Sequence, residues 1–325
     1  MFGKLYSISA NTFAETIRQP IFNILTWVAI GLLVLNPSLA AFSLDSGSDV
    51  KILKDVGMST ILLFCLLTSA FSAVGVITRE IETFTVLTVV SKPVSRPTFI
   101  LGKFVGVSVA MLVSYYLLAL VYLMTVRHGV METTADKWDL PVLSLSGSAL
   151  LISVLVAGFG NFNYGWNFGT TLLGMIIPTG SLAFTGVMFF DKTFKFQSPF
   201  EKWDATVQVL YALILGFFAV MILTSFAVAF ATRLGQVMTL MMCSFVFILG
   251  LLSDYYFGQR VSEGPLYQFM YALLPNFQFF WVGDAITQEI PVPWSHVQLV
   301  ATYAGLYILG VLGLGIAMFQ TREVG

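Results

Sequence analysis

The 325 residues are 57% hydrophobic and only 10% charged, with a mean hydropathy of +0.87. Soluble domains carry about a quarter charged residues, so this composition, with repeated uncharged stretches of about 20 residues, excludes a water-soluble globular fold and predicts an all-α polytopic membrane protein. The apolar runs do not alternate, which excludes a transmembrane barrel, and a net charge of −1 offers no basic surface to nucleic acid.

In chain order, residues 1–20, "MFGKLYSISANTFAETIRQP", are too polar to span. Leu5, Ile8, Phe13 and Ile17 fall at near-helical spacing with Lys4, Glu15 and Arg18 among them. This predicts an amphipathic helix on the membrane surface, broken by Pro20 where the first span begins. Eight spans follow, over 21–42, 57–77, 101–125, 140–160, 168–190, 207–231, 237–252 and 297–319. The fourth carries four serines and several glycines, which leaves a re-entrant segment open as its alternative. The small residues of "PSLAAF" allow the first span to be read as a cleaved signal peptide, but the polar stretch before it is long for that.

With the N-terminus inside, Lys4, Arg18, Arg79, Lys92, Arg96, Lys103, Arg233 and Arg322 are cytoplasmic. Eight further Lys and Arg lie outside, so the positive-inside rule is balanced. The inside set sits closer to the span ends, which favours both termini inside. The longest outer connection, 254–295, contains "LYQFMYALLPNFQFFWVGDAI", apolar yet split at Pro275 and Asn276. Two short helices dipping into the outer leaflet are expected there, with Phe279, Phe280 and Trp281 at the interface. A plain interfacial loop helix is the alternative.

No catalytic motif stands out. HExxH and GxSxG are absent, and no P-loop exists, because Gly102-Lys103 is followed by Phe104 and Pro97 stands where the first glycine belongs. Cys65 and Cys243 fall inside apolar spans and read as small hydrophobes. His128 and His296 are expected in loops, without ligand-spaced partners. Charges are nearly absent within the spans, which argues against a proton-driven carrier, although carbonyls and hydroxyls are able to bind sodium. Gly102/Gly106, Ala301/Gly305 and Gly310, Gly313 and Gly315 permit close helix approach, within the chain or at a subunit seam.

The segment 77–106, "ITREIETFTVLTVVSKPVSRPTFILGKFVG", is where charge concentrates. Thr78 is expected to cap a short helix with Arg79, Glu80 and Glu82 in its first turn. Ile81, Phe84, Leu87 and Val90 form its apolar face, Ser91-Lys92-Pro93 ends it, and Ser95-Arg96-Pro97 starts the next helix. From the residues alone, it is either a surface helix held by headgroups or a docking helix for a cytoplasmic partner.

The series Glu80-x-Glu82, Thr85, Leu87, Ser91-Lys92-Pro93-Val94-Ser95-Arg96, Leu101-Gly102-Lys103 and Gly106 resembles the cytoplasmic signature of ABC-2 type permeases. The kind involved in nitrous-oxide-reductase maturation and gliding motility is nearer than the polysaccharide exporters. "TFAETIRQPIFNIL" is similar to the family's elbow helix and first span. "FAVAFATRLGQVMTLMMCSFVFILGLLSDY" resembles its fourth and fifth helices, "LLPNFQFFWVGDAI" its outer re-entrant segment, and "TREVG" its Arg-Glu ending. Two departures stand out: Phe84-Thr85 replaces the common Gly-Thr, and 126–206 reads as a two-helix insertion linked by "NFNYGWNFG".

The resemblance implies an ABC-2 (type V) exporter transmembrane fold: a six-span core plus that insertion, an elbow helix at 1–20 and a coupling segment at 78–100. It implies a multi-pass protein of the bacterial inner membrane, embedded in the lipid bilayer and paired with a second copy or a sister permease. Two separate ATPase subunits would bind ATP and magnesium, leaving this chain without catalysis or cofactor. Arg79, Glu80, Glu82, Phe84, Thr85, Leu87, Lys92 and Arg96 would face the ATPase, and Pro275, Asn276, Phe277 and Trp281 would form the outer gate. The competing readings are a scaffold subunit of the same fold that moves nothing, a secondary carrier, or a membrane-embedded transferase. Thirty phenylalanines suit a hydrophobic cargo and equally suit lipid-facing helices.

Overall fold

The computed structural model describes residues 2–41, 49–82, 95–131, 137–199, 203–288 and 290–320. The described elements, in order, are α1 (Phe2–Arg18), α2 (Pro20–Ala40), α3 (Asp49–Glu82), α4 (Arg96–His128), α5 (Leu140–Tyr164), α6 (Phe168–Met188), α7 (Trp203–Ala231), α8 (Gln236–Tyr256), α9 (Pro265–Leu273), α10 (Gly283–Thr287) and α11 (Trp294–Gln320). Tight 3-10 turns cover Gly258–Glu263 and Phe277–Phe280. Eight of the helices, α2 to α8 and α11, are long and apolar enough to cross a membrane. At 1.5 Å per residue even the 21-residue α2 reaches about 31 Å, the thickness of a hydrocarbon core. The chain is therefore an all-helical polytopic membrane protein by architecture.

Several expectations are corrected. The second span ends at Ile77 as expected, but the helix that carries it, α3, runs on unbroken to Glu82, 34 residues in all. Thr78 is thus a helix-interior residue and not a cap. No Pro or Gly lies between Gly75 and Pro93 to interrupt the ladder. Arg79, Glu80 and Glu82 consequently lie on the helix that carries the second span, not in the first turn of a new one. Helix α3 also begins at Asp49 rather than Gly57. Gly57 is no breaker: a Cβ there would stand 2.6 Å from the Tyr122 ring, so it is a point of close approach. The fourth span, as expected, is a single helix, 25 residues long and apolar enough to cross a membrane. Ser144, Ser148 and Ser153 each donate to the carbonyl four residues back, at 2.6–2.7 Å, and so satisfy themselves in an apolar setting. His128 and His296 likewise belong to the ends of α4 and α11.

Contacts divide the chain into two compact units. The first comprises Met1–Phe22, Leu62–Leu112 and Tyr211–Gly325; the second comprises Asn23–Ile61 and Val113–Leu210.

In the second unit, Asn36 on α2 donates to Leu53 O on α3 at 2.7 Å, and Thr26 bonds Ser114 at 3.0 Å. Met124, Val142, Ala149, Ala183 and Val187 form a core joining α4, α5 and α6. Interhelical hydroxyl pairs Ser153–Thr179 and Tyr116–Ser181, both 2.8 Å, fix the register of those helices. Arg127 gathers their ends: it donates to Asp139 Oδ2 at 3.2 Å, to Val187 O at 2.5 Å and to Phe190 O. Asp139 meanwhile accepts from the Val142 amide at 3.0 Å and caps α5. The α5–α6 connection turns on Gly165, at φ 67°, while Trp166 fills a notch at Gly160 that no side chain could share.

Candidate functional site

The segment singled out by the sequence lies in the first unit. Its middle, including Phe84, Thr85, Leu87 and Lys92, lies outside the described residues, and of Arg79, Glu80 and Glu82 only the helical backbone is described. On its far side Ser95 begins α4 as expected: its hydroxyl lies 2.7 Å from that of Thr98 and accepts the Thr98 amide at 3.4 Å.

Arg96 is occupied within the chain. Its guanidinium donates to Phe319 O at 3.3 Å and to Gln320 O, the last carbonyls of α11, and lies 5.9 Å from the Phe319 ring centre. Phe99 stacks on the same ring at 5.6 Å. Arg233, in the turn between α7 and α8, donates twice to Met318 O, at 2.8 and 2.5 Å. Peptide carbonyls near the C-terminal side of a helix face the negative end of its dipole. Two guanidinium groups meet three of them here with charge-assisted bonds.

One turn along α4, Gly102 and Gly106 make the seat of α1. A Cβ at Gly102 would meet Ile8 at 2.6 Å, and one at Gly106 would meet Thr12 at 2.5 Å and Ser9 O at 2.6 Å. On α3, Gly75 similarly receives Gln19. The most buried side chains of α1 are therefore Thr12 and Thr16, both fully enclosed, while Leu5, Ile8, Phe13 and Ile17 are half-buried. This differs from a helix whose apolar stripe alone is covered. The glycine notches draw the small polar face inward. Between those glycines Lys103 is buried to 2% exposure with Glu15 of α1 at 4.0 Å, and its ammonium lies 5.6 Å from the Phe99 ring centre.

The second cluster is built around Pro275 and Asn276, where the chain reverses between α9 and the Phe277–Phe280 turn. Asn276 is 2% exposed and fully engaged. Its backbone N–H donates to the Tyr303 hydroxyl at 3.0 Å, its side-chain amide donates to the Tyr271 hydroxyl at 3.1 Å, and its Oδ1 accepts the Gln278 N–H at 2.9 Å. Tyr271 in turn donates to Asp254 at 3.2 Å, and Tyr307 donates to Leu273 O. Phe277 and Phe280 are both 2% exposed and pack on Phe247 and Tyr303 at 5.5 and 6.2 Å. Gly250 of α8 makes this possible: a Cβ there would stand 2.4 Å from Phe277 and 2.5 Å from Pro275 O. Pro275, Asn276 and Phe277 thus meet in one packed reversal, and Trp281, half-buried, closes it with its N–H on Gln278 O at 3.1 Å. Phe280 is corrected from an interfacial residue to a core one, because the 3-10 turn rotates it inward.

Sequence reasoning named the reversal but missed its partners. Tyr303 and Tyr307, four residues apart on α11, were the available signal, since tyrosines at that spacing share a helix face. The role of Arg233 was missed too, although Thr232-Arg233 before a span was visible. No family model matches the chain, and none of the curated proteins matches it.

Proposed function

We propose that this chain is the membrane-spanning permease subunit of an ATP-binding-cassette exporter of the ABC-2 type, paired with a second permease and driven by two separate ATPase subunits. The observation that carries the reading is the run Ser91-Lys92-Pro93-Val94-Ser95-Arg96 followed by Gly102, Lys103 and Gly106. Each described member has distinct work: Ser95 caps α4, Arg96 holds the end of α11, the glycines seat α1, and Lys103 is buried beside Glu15. A charged connection between two spans, followed by a helix anchored on three sides, suits a segment that receives force.

In this reading Arg79, Glu80 and Glu82, with Phe84, Thr85, Leu87 and Lys92, meet the ATPase at the cytoplasmic face. Nucleotide-driven closure of the ATPases displaces α3 and α4 together. The Pro275–Trp281 reversal lies at the outer face as the gate, re-entrant in the outer leaflet, and α1 is the elbow helix. This chain itself performs no chemistry; binding of ATP and magnesium belongs to the partner.

The test is co-purification from native membranes. A tagged chain is expected to bring down a nucleotide-binding protein, and Glu80→Ala with Glu82→Ala to reduce its recovery about tenfold, as loss of two charge-assisted contacts implies. Intact membrane protein with no such partner would contradict the reading.

A further inference from the structure

Helix α11 is bonded both to the start of α4 and to the Asn276 reversal. Near its end, three successive carbonyls, of Met318, Phe319 and Gln320, are held by Arg233 and Arg96. Farther up, Tyr303 accepts the Asn276 amide, Tyr307 donates to Leu273 O, and His296 Nε2 lies 3.2 Å from Phe279 O. From Tyr303 to Phe319 the helix covers about 24 Å without a break. Arg96 is the first residue of α4, at the edge of the coupling segment, and Asn276 is the centre of the reversal. The same helix therefore makes direct, directional bonds to both places.

We propose that α11 transmits movement between the coupling segment and the 271–281 reversal. Arg96 and Arg233 are its positioning residues at one end, and Tyr303 and Tyr307 at the other. Its use as a transmission element rests on the exporter reading, but the linkage itself is a property of this chain alone. The bonds at the two ends explain why a shift of α11 along its axis is felt at both. The two guanidinium groups have three successive carbonyls to bond, whereas the Asn276 amide has one acceptor, the Tyr303 hydroxyl. A displacement of Tyr303 by about 1 Å away from Asn276 along this bond stretches it from 3.0 Å to about 4 Å, beyond hydrogen-bonding distance. The reversal then loses the tie that fixes its deepest residue to α11. Packing contributes as well: Gly315 lies against Ala229, where a Cβ would stand 3.0 Å from the Ala229 Cβ. Close contact of this kind means that a shift of α11 is also felt by α7.

The experiment is amide hydrogen exchange on the full chain in lipid nanodiscs, without any ATPase. Arg96→Gln with Arg233→Gln is expected to speed exchange at Asn276, Gln278 and Trp281 at least about threefold, although all three lie far from the substitutions. Coupling is reciprocal, so Tyr303→Phe is expected to speed exchange in the last two turns of α11. Faster exchange confined to the end that was altered, in either variant, would overturn the proposal. If the double arginine variant does not fold, Tyr303→Phe decides alone, since it removes one hydroxyl and leaves the ring packing. Failure of the exporter reading would show separately, as an absent ATPase in co-purification, and leaves this measurement unaffected.

Discussion

The two ends of α11 are held by opposite chemistry. At the Gln320 end, two charged forks meet exposed or half-buried carbonyls, with one aromatic stack beside them. Around Tyr303, neutral hydroxyls bond a buried amide inside a recess whose shape depends on a missing side chain at Gly250. The difference teaches where each region is fragile. Charge-assisted bonds near water lose strength to screening but tolerate small changes of position. A packed reversal has no slack, because overfilled cores force side chains and backbone from their minima.

The sharpest way to break this comparison is Gly250→Ala. The added Cβ meets a backbone oxygen and a buried ring, so we expect a loss of about 1–3 kcal/mol, read as a lower unfolding temperature. A substitution without effect would mean that the reversal is loosely packed. Asn276→Ala comes next. It strips two bonds and leaves the Gln278 amide and the Tyr271 hydroxyl without this partner, for an expected loss of about 1–3 kcal/mol by the same measurement. Arg96→Gln is expected to cost less, about 0.5–1.5 kcal/mol, and its effect should shrink in high salt, whereas that of Asn276→Ala should not. Equal salt dependence would erase the distinction between the two ends.

Gly310→Ala and Gly313→Ala sharpen it from the other side. Neither added Cβ meets any atom within 4 Å among the described residues, so each is expected to stabilise α11 by about 0.5–1 kcal/mol through helix propensity. The smallest effect lies outside both regions, in the second unit. The Lys195 amide, and then the Thr193 amide and hydroxyl, donate to the Asp191 carboxylate and hold its pKa below the ordinary range. The folded value is depressed, so the turn's contribution is complete above the ordinary carboxylate pKa of about 3.9. It is lost as pH falls through the lower folded value. A carbon-13 titration of the Asp191 carboxyl should find its midpoint below that of a model peptide; a midpoint at or above it would contradict the turn geometry.

Much of the architecture was legible because apolar length is a strong signal. All eight spans lay where uncharged runs of about 20 residues stood, since lipid forces backbone bonds to close within a helix. Span ends were less legible. Charged Lys51, Lys54 and Asp55 disguised the start of α3, and the acids Glu80 and Glu82 suggested a new helix start where the old helix simply continued. The Ser95-Arg96-Pro97 start of α4 and the Pro275–Asn276 reversal were readable because proline and capping residues act locally. The bonds of Arg96 to Gln320, Arg233 to Met318 and Asn276 to Tyr303 were not, because those partners lie from 27 to 224 residues away along the chain. Such pairings follow from packing, at which the spacing of Tyr303 and Tyr307 only hints. The glycines illustrate the same limit: Gly102, Gly106 and Gly315 sit in close contacts, while Gly305, Gly310 and Gly313, equally conspicuous in sequence, meet nothing within 4 Å among the described residues.

The exporter reading stands or falls on whether the C-terminal turns of α3 and the residues beyond them dock on an ATPase. A photo-crosslinking residue placed at Glu82 in native membranes tests this most directly. Docking predicts a crosslink to a nucleotide-binding protein whose yield changes when ATP is added. Crosslinks to lipid alone, or to a protein that binds no nucleotide, would contradict it.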